Sequence, residues 1–141
     1  MYQLAHPYHY TDHRSSYQAG LMLPDPTWPP DVRAVVHYIH CHLFNEMLTV
    51  GELKRQCGIG DNNISGRFRY YVGMGIKQYI DDHRIRLAKR LLRRNQATIL
   101  AIALTVGYPS HSALTKSFKR HVGCTPSVFR EREAEKKDAR P

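Results

Sequence analysis

No stretch of the sequence is apolar for the roughly 18 residues that a membrane-crossing helix requires, so an integral membrane protein is not expected. The first residues, Met1 to Pro7, lack the basic-then-apolar pattern of a secretory signal. Cysteine is scarce: Cys41, Cys57 and Cys124 form an odd, widely spaced set with no CxxC. A disulfide scaffold or structural zinc site is therefore not expected, and free thiols in a reducing cytoplasm fit better. There is no Gly-rich phosphate loop and no Ser-x-Gly elbow. The only adjacent carboxylates, Asp81-Asp82, fall in a helical segment, where such a pair is more often a surface or capping feature than acid–base machinery. Neither catalysis nor a cofactor is expected. Alternation of apolar and polar residues is missing too, which leaves an all-α fold. At 141 residues the chain has room for one domain or two very small ones, but not for an additional sensing domain.

Acidic residues are also in short supply, and unevenly so. Residues 1–48 carry two basic and four acidic residues, a net of −2, whereas residues 49–141 carry 19 basic and 8 acidic, a net of +11. The overall +9 therefore belongs to the C-terminal two-thirds, and a polyanion is the natural partner.

Residues 1–30 show no period, hold Tyr2, Tyr8, Tyr10 and Tyr17, and end in Pro24-Asp-Pro-Thr-Trp-Pro-Pro30. A flexible arm or loose strap is expected. His6, His9 and His13, and the His37/Cys41 pair at i, i+4, have metal-ligand chemistry, but solvated or half-buried polar packing is the favoured reading of both. Beyond Pro30, Val32, Val35, Val36, Ile39, Leu43 and Phe44 trace one helix face. Thr49-Val-Gly-Glu52 is a capping box that opens a short helix ending by Gly58. Asp61 is placed to cap the next, which runs through Ile64, Phe68 and Tyr71 to about Val72. Residues 76–94 form the longest helix, with Arg84, Arg86, Lys89, Arg90, Arg93 and Arg94 crowding its later turns. A short helix follows from Ile99 to Gly107. Ser110 caps a helix over 111–122, and Thr125 with Pro126 starts a last one over about 126–137, leading into a charged tail at 132–141.

The chain repeats itself. Ile64, Phe68, Arg69, Gly73 and Tyr79 recur fifty residues later as Leu114, Phe118, Lys119, Gly123 and Phe129. Each set follows a short helix, a tight turn and a polar cap, so a helix–turn–helix unit occurs twice. The boundaries read as a first subdomain over 31–75, a linker helix over 76–94 and a second subdomain over 95–131. Two such units can each lay a helix in the DNA major groove, about one turn or roughly 34 Å apart.

With these features the chain resembles the DNA-binding domain of the AraC/XylS family of bacterial transcription regulators, over about residues 31–131. The most specific stretch is Ile102-Ala103, Tyr108, Ser110, Ser112, Leu114, Lys116, Phe118-Lys119, Gly123, Thr125-Pro126 and Phe129-Arg130. Phe68-Arg69, Gly73, Tyr79-Ile80, Arg84, Ala88 and Leu91-Leu92 match as well. The resemblance implies two homeodomain-like three-helix heads that bind double-stranded DNA, a monomer able to hold two half-sites, and contact with RNA polymerase. It also implies a cytoplasmic, nucleoid-associated protein of the compact type without a sensing domain.

On a helical wheel, Leu114 and Phe118 point inward, while Ser112, Thr115, Lys116 and Lys119 point outward with His111 at the margin. His111, Ser112, Thr115 and Lys116 are the candidate base contacts, and Lys119 and Arg120 the candidate phosphate contacts. In the first unit Asn62 and Ser65 are candidate base contacts and Arg69 a backbone contact; Arg90 of the linker is a fourth backbone candidate. This unit is a divergent copy. Gly66 stands where the family usually has an arginine, Arg67 where a residue usually faces the core, Lys54 where a small Ala lets the helices pack, and Gly60 where Ser caps. It is therefore expected to anchor on backbone more than it reads bases. The alternatives are a helical protein-interaction module or a non-specific architectural DNA binder with a degenerate first head.

Overall fold

The computed structural model describes residues 7–60, 63–94 and 96–139, with side chains from residue 13 onward. Eight α-helices and no strands are found among them: α1 (Pro7–Ala19), α2 (Pro30–His42), α3 (Val50–Gln56), α4 (Ile64–Val72), α5 (Ile76–Arg94), α6 (Ile99–Thr105), α7 (His111–Val122) and α8 (Pro126–Asp138). None of the described helices is long and apolar enough to cross a membrane.

Local chemistry sets the boundaries. Thr49, Thr98, Ser110 and Thr125 are extended N-cap residues whose hydroxyls accept the amides of Glu52, Ala101, Ala113 and Val128 at 3.1–3.3 Å. Each satisfies a donor that a helix start leaves unpaired. Glu52 of the expected capping box turns to Gln56 and Arg55 on its own helix. α4 and α7 both stop at a glycine with φ of 92°, Gly73 and Gly123. Each donates its amide to the residue four back, Arg69 or Lys119, at 2.9 Å. That left-handed conformation is open to glycine without a Cβ penalty.

The repeat in the sequence is a repeat in space. α3–α4 and α6–α7 are helix–turn–helix pairs in which the Ile59 amide meets the Lys54 carbonyl, and Tyr108 the Ala103 carbonyl, both at 2.9 Å. Phe68 lies edge-on to Tyr79 at 5.6 Å and 79°; Phe118 meets Phe129 at 5.4 Å and 71°. α5 joins the units and contributes Ile80, Leu87, Ala88, Leu91 and Leu92 to one continuous core.

Two buried polar groups on α5 fix the seam. Arg84 is 6% exposed; it donates from Nε to the Leu43 carbonyl at 2.9 Å and from Nη2 to that of Asn45 at 2.8 Å. Its other side lies against Gly107, where an added Cβ would come within 2.9 Å, and 5.4 Å from the Tyr108 ring centre. Asp81 accepts the Tyr108 hydroxyl at 2.9 Å, and Ser117 shares that hydroxyl at 2.7 Å. Burial pushes the Tyr108 phenol well above its usual range. Asp81 is therefore a buried seam residue rather than the surface or capping feature its adjacency to Asp82 suggests.

The described parts of both end segments are more ordered than their composition predicts. The segment expected to be a flexible arm carries α1, with Tyr17 buried. Leu21 and Trp28, beyond α1, also pack on the core. The segment read as a tail stays helical to Asp138. Glu133 pairs with Arg93 at 3.3 Å, and Lys137 donates to the Arg93 carbonyl at 2.7 Å, one of those left open at the end of α5. Tyr71, near the end of α4, is exposed and meets Tyr70 edge-on.

Candidate nucleic-acid interface

The outward face of α4 and the last turn of α7 border a common cleft of about 670 Å³. Ser65, Gly66 and Arg69 of α4 form one wall, Arg120 and His121 of α7 the other, and Lys77, Gln78 and Asp81 of α5 the floor. The Arg69 guanidinium folds over Gly75, close enough that a Cβ there would sit 3.0 Å from Nη2. Arg69, Lys77 and Arg120 thus bring cationic side chains from three helices to one concavity, as binding of a phosphate chain requires. Lys77 and Gln78 were not singled out from the sequence. Their only signal is position, in the first turn of α5 directly after the glycine turn that ends α4.

On α7 the expected pattern is present. Leu114 and Phe118 are fully buried, His111, Ser112, Lys116, Lys119 and Arg120 are exposed, and Thr115 is half-buried. His111 Nδ1 and Thr115 Oγ1 are 3.4 Å apart, one turn from each other. Ser112 and Lys116 lie between Lys119 and Arg120 on a 100° wheel, so the four form one continuous outward face.

The first unit is built differently. α4 begins at Ile64, the counterpart of Leu114, whereas α7 has three residues before Leu114. Its N-cap Asn63 makes no side-chain capping bond. Asn62 and Asp61 lie outside the described residues. Ser65 and Arg69 are exposed and face the cleft. Arg67, at a position expected in the core, is half-buried and pairs with Asp31 in the first turn of α2. Lys54 is half-buried where Ala103 is fully buried in the second unit.

Arg90 does not join this group. It lies 180° around α5 from the cleft residue Asp81, and its guanidinium sits 5.0 Å from the Tyr17 ring centre. Its charge stabilises the packing of α1 by a cation–π contact. Of the remaining chemistry, His37 Nε2 and Cys41 Sγ are 3.8 Å apart, and His6 and His9 lie outside the residues with described side chains. Among the described residues no group of three or more His, Cys, Asp or Glu is placed to hold a metal. All three cysteines are free thiols.

Comparison with known proteins covers both helix–turn–helix units. The family profile described as "Helix-turn-helix domain" matches residues 53–132. A putative AraC-like transcription regulator of Streptomyces lividans is 40% identical over 82 residues, 58% of this chain and 27% of that protein. An uncharacterized HTH-type transcriptional regulator of Bacillus subtilis, YtdP, is 28% identical over 70% of this chain and 13% of its own length. The chain thus spans about a quarter or less of these relatives. Among solved structures, the C-terminal domain of AraT from Geobacillus stearothermophilus superposes with a TM-score of 0.70 at 24% identity, over 74% of this chain and 87% of that one. The DNA-binding domain of AdpA, solved in complex with a target DNA, gives 0.69 at 23% identity over 79% of this chain and all of its own. With two copies of the helix–turn–helix unit in one core, and the family match across both, the chain belongs to the AraC-type helix-turn-helix family.

Proposed function

We infer that the protein is a sequence-specific, double-stranded-DNA-binding transcription regulator that inserts α4 and α7 into adjacent major-groove segments. The observation that carries this is the shared cleft. The outward face of α4 and the last turn of α7 border it, and Arg69, Lys77 and Arg120 line it from three helices. Lys116 has the reach for a guanine edge; Ser112, Thr115 and His111 have short arms suited to a base edge or thymine methyl. Lys119 and Arg120, with Arg69 across the cleft, neutralise phosphates. Ser65 and Asn62 are the corresponding base-reading candidates of the first head. That head anchors more than it reads, since Gly66 offers no side chain where Lys116 stands in the second. Both heads sit on one chain, so a monomer suffices for two half-sites, and RNA polymerase is the protein partner that the family membership suggests.

Selection of bound duplexes from a random pool tests this reading. The expected result is a motif of two boxes about one turn, roughly 34 Å, apart, with the box under α7 the more strongly constrained. Affinity for it should fall by about 10³ between 50 and 200 mM salt if roughly six to ten phosphates are contacted. No enriched motif, or a nearly flat salt response, overturns it.

A further inference from the structure

Helix α1 stands outside the repeat, yet it is attached to both heads. Arg14 donates from Nε to the Thr105 carbonyl at 2.5 Å and from Nη2 to the Leu104 carbonyl at 2.9 Å. These end α6 of the second head, where carbonyls lack intrahelical partners and carry the negative pole of the helix. One turn later Gln18 donates from Nε2 to the His40 carbonyl at 2.9 Å, in the last turn of α2 of the first head. Between them Tyr17 is 6% exposed and binds the bridge: its hydroxyl is 2.6 Å from His83 Nδ1 of α5. Its ring lies edge-on to Phe44 at 5.7 Å, and Arg90 covers another side. The attachments end on atoms fixed in three separate elements. They cannot all persist if one head rotates against the other. His83 and Arg90 face α1 from the side of α5 opposite Asp81, so the helix acts from behind the cleft.

We propose that α1 is a strap that sets the relative orientation of the two heads, and thereby the separation of half-sites that the protein accepts. Arg14, Tyr17 and Gln18 are positioning residues in this role. The proposal rests on the two-headed DNA reading. One inserted base pair moves a half-site by about 3.4 Å and turns it by roughly 34°, a change that locked heads cannot follow.

The test compares the parent chain with the Arg14→Ala/Gln18→Ala variant, which keeps Tyr17 and its packing; a cooperative melt verifies that the variant folds. Duplexes carry the two selected boxes at the preferred spacing and at one or two base pairs more or fewer. The parent should lose at least about tenfold in affinity for one base pair of change, and the variant less than about threefold. Arg14→Lys alone, which keeps a charge at the end of α6, should retain most of the parent's discrimination. A second readout needs no DNA. Nitroxide labels at Gln56→Cys and Glu131→Cys, with the three native cysteines replaced by Ser, report the distance between heads. That distribution should be narrow in the parent and broader or displaced in the variant. If the parent binds and the variant shows the same spacing profile, the strap is overturned. If no duplex binds the parent but the distance distribution broadens, the DNA reading fails and the head-setting role of α1 stands. An unchanged distribution without binding overturns both.

Discussion

The two recognition-type helices share an interior and differ at the surface. Ile64 and Phe68 of α4 and Leu114 and Phe118 of α7 are all fully buried, and each Phe meets the equivalent ring across its unit in nearly the same geometry. Outside, the copies part. α7 runs for 12 residues from a side-chain cap and displays Lys116, Lys119 and Arg120. α4 runs for nine from an N-cap without one, and displays Gly66, Arg69 and Tyr70 at the same places. A close-packed interior feels the loss of a single methylene, so duplicated cores stay alike. An exposed face carries no such constraint and can drift with the job of each copy.

That contrast can be broken at several points. The largest effects should come from the shared interior: Phe68→Ala and Phe118→Ala should each cost about 3–5 kcal/mol in urea unfolding. A several-fold smaller cost for either would mean that the interiors are not equivalent. Next come the faces. Lys116→Ala/Lys119→Ala should weaken binding to the selected duplex by about 100-fold, and Ser65→Ala/Arg69→Ala by about tenfold, in fluorescence anisotropy at fixed salt. The reverse ranking would make the first head the reader.

Acidification should separate the units by stability. His40 and His83 pack with Tyr79 and Tyr17 where α1, α2 and α5 meet. Burial lowers both imidazoles, His83 to about 4, with the Arg86 charge adding to the effect and Asp82 opposing it. The unfolded chain takes up these protons near pH 6.5, whereas the folded chain holds His83 neutral down to about 4 and lowers His40 as well. The stability that the neutral rings contribute is therefore fully present above about 6.5 and declines as pH falls toward 4. Amide exchange at pH 7 and pH 5 should show α1, α2 and the first half of α5 losing protection before α6–α8. Uniform loss would contradict this. The smallest effect concerns Gly66. A Cβ there would meet only Asn63 Oδ1, at 3.6 Å, so Gly66→Ala should stabilise α4 by about 0.5–1 kcal/mol in thermal melts.

Legibility from the sequence followed the range of the forces involved. α5 and α7 carry the boundaries expected of them, because 3.6-residue periodicity, Ser110 and the Gly73 and Gly123 stops are local signals. The outward face of α7 was legible for the same reason. α1 was not: it buries one ring, and its polar side chains bond carbonyls 22 to 91 residues away. Arg84 looked like one more member of a basic run, and Asp81 like half of a surface pair, because nothing in their spacing marks partners on other elements. The contact of Arg90 was hidden for the same reason: its partner, Tyr17, belongs to a segment with no visible period. Lys77 and Gln78 became visible only once α4 and α7 were seen to border one cleft.

Arg84 has one further consequence. Its guanidinium is buried and held by the Leu43 and Asn45 carbonyls of one head while the turn of the other closes over it. Cutting the chain between the heads would strand a buried cation, a loss that commonly outweighs several good contacts. The duplication is therefore indivisible as an engineering part. A graft of the second head onto another scaffold has to carry α5 and the 43–45 turn with it, or replace Arg84 by an apolar side chain of similar volume.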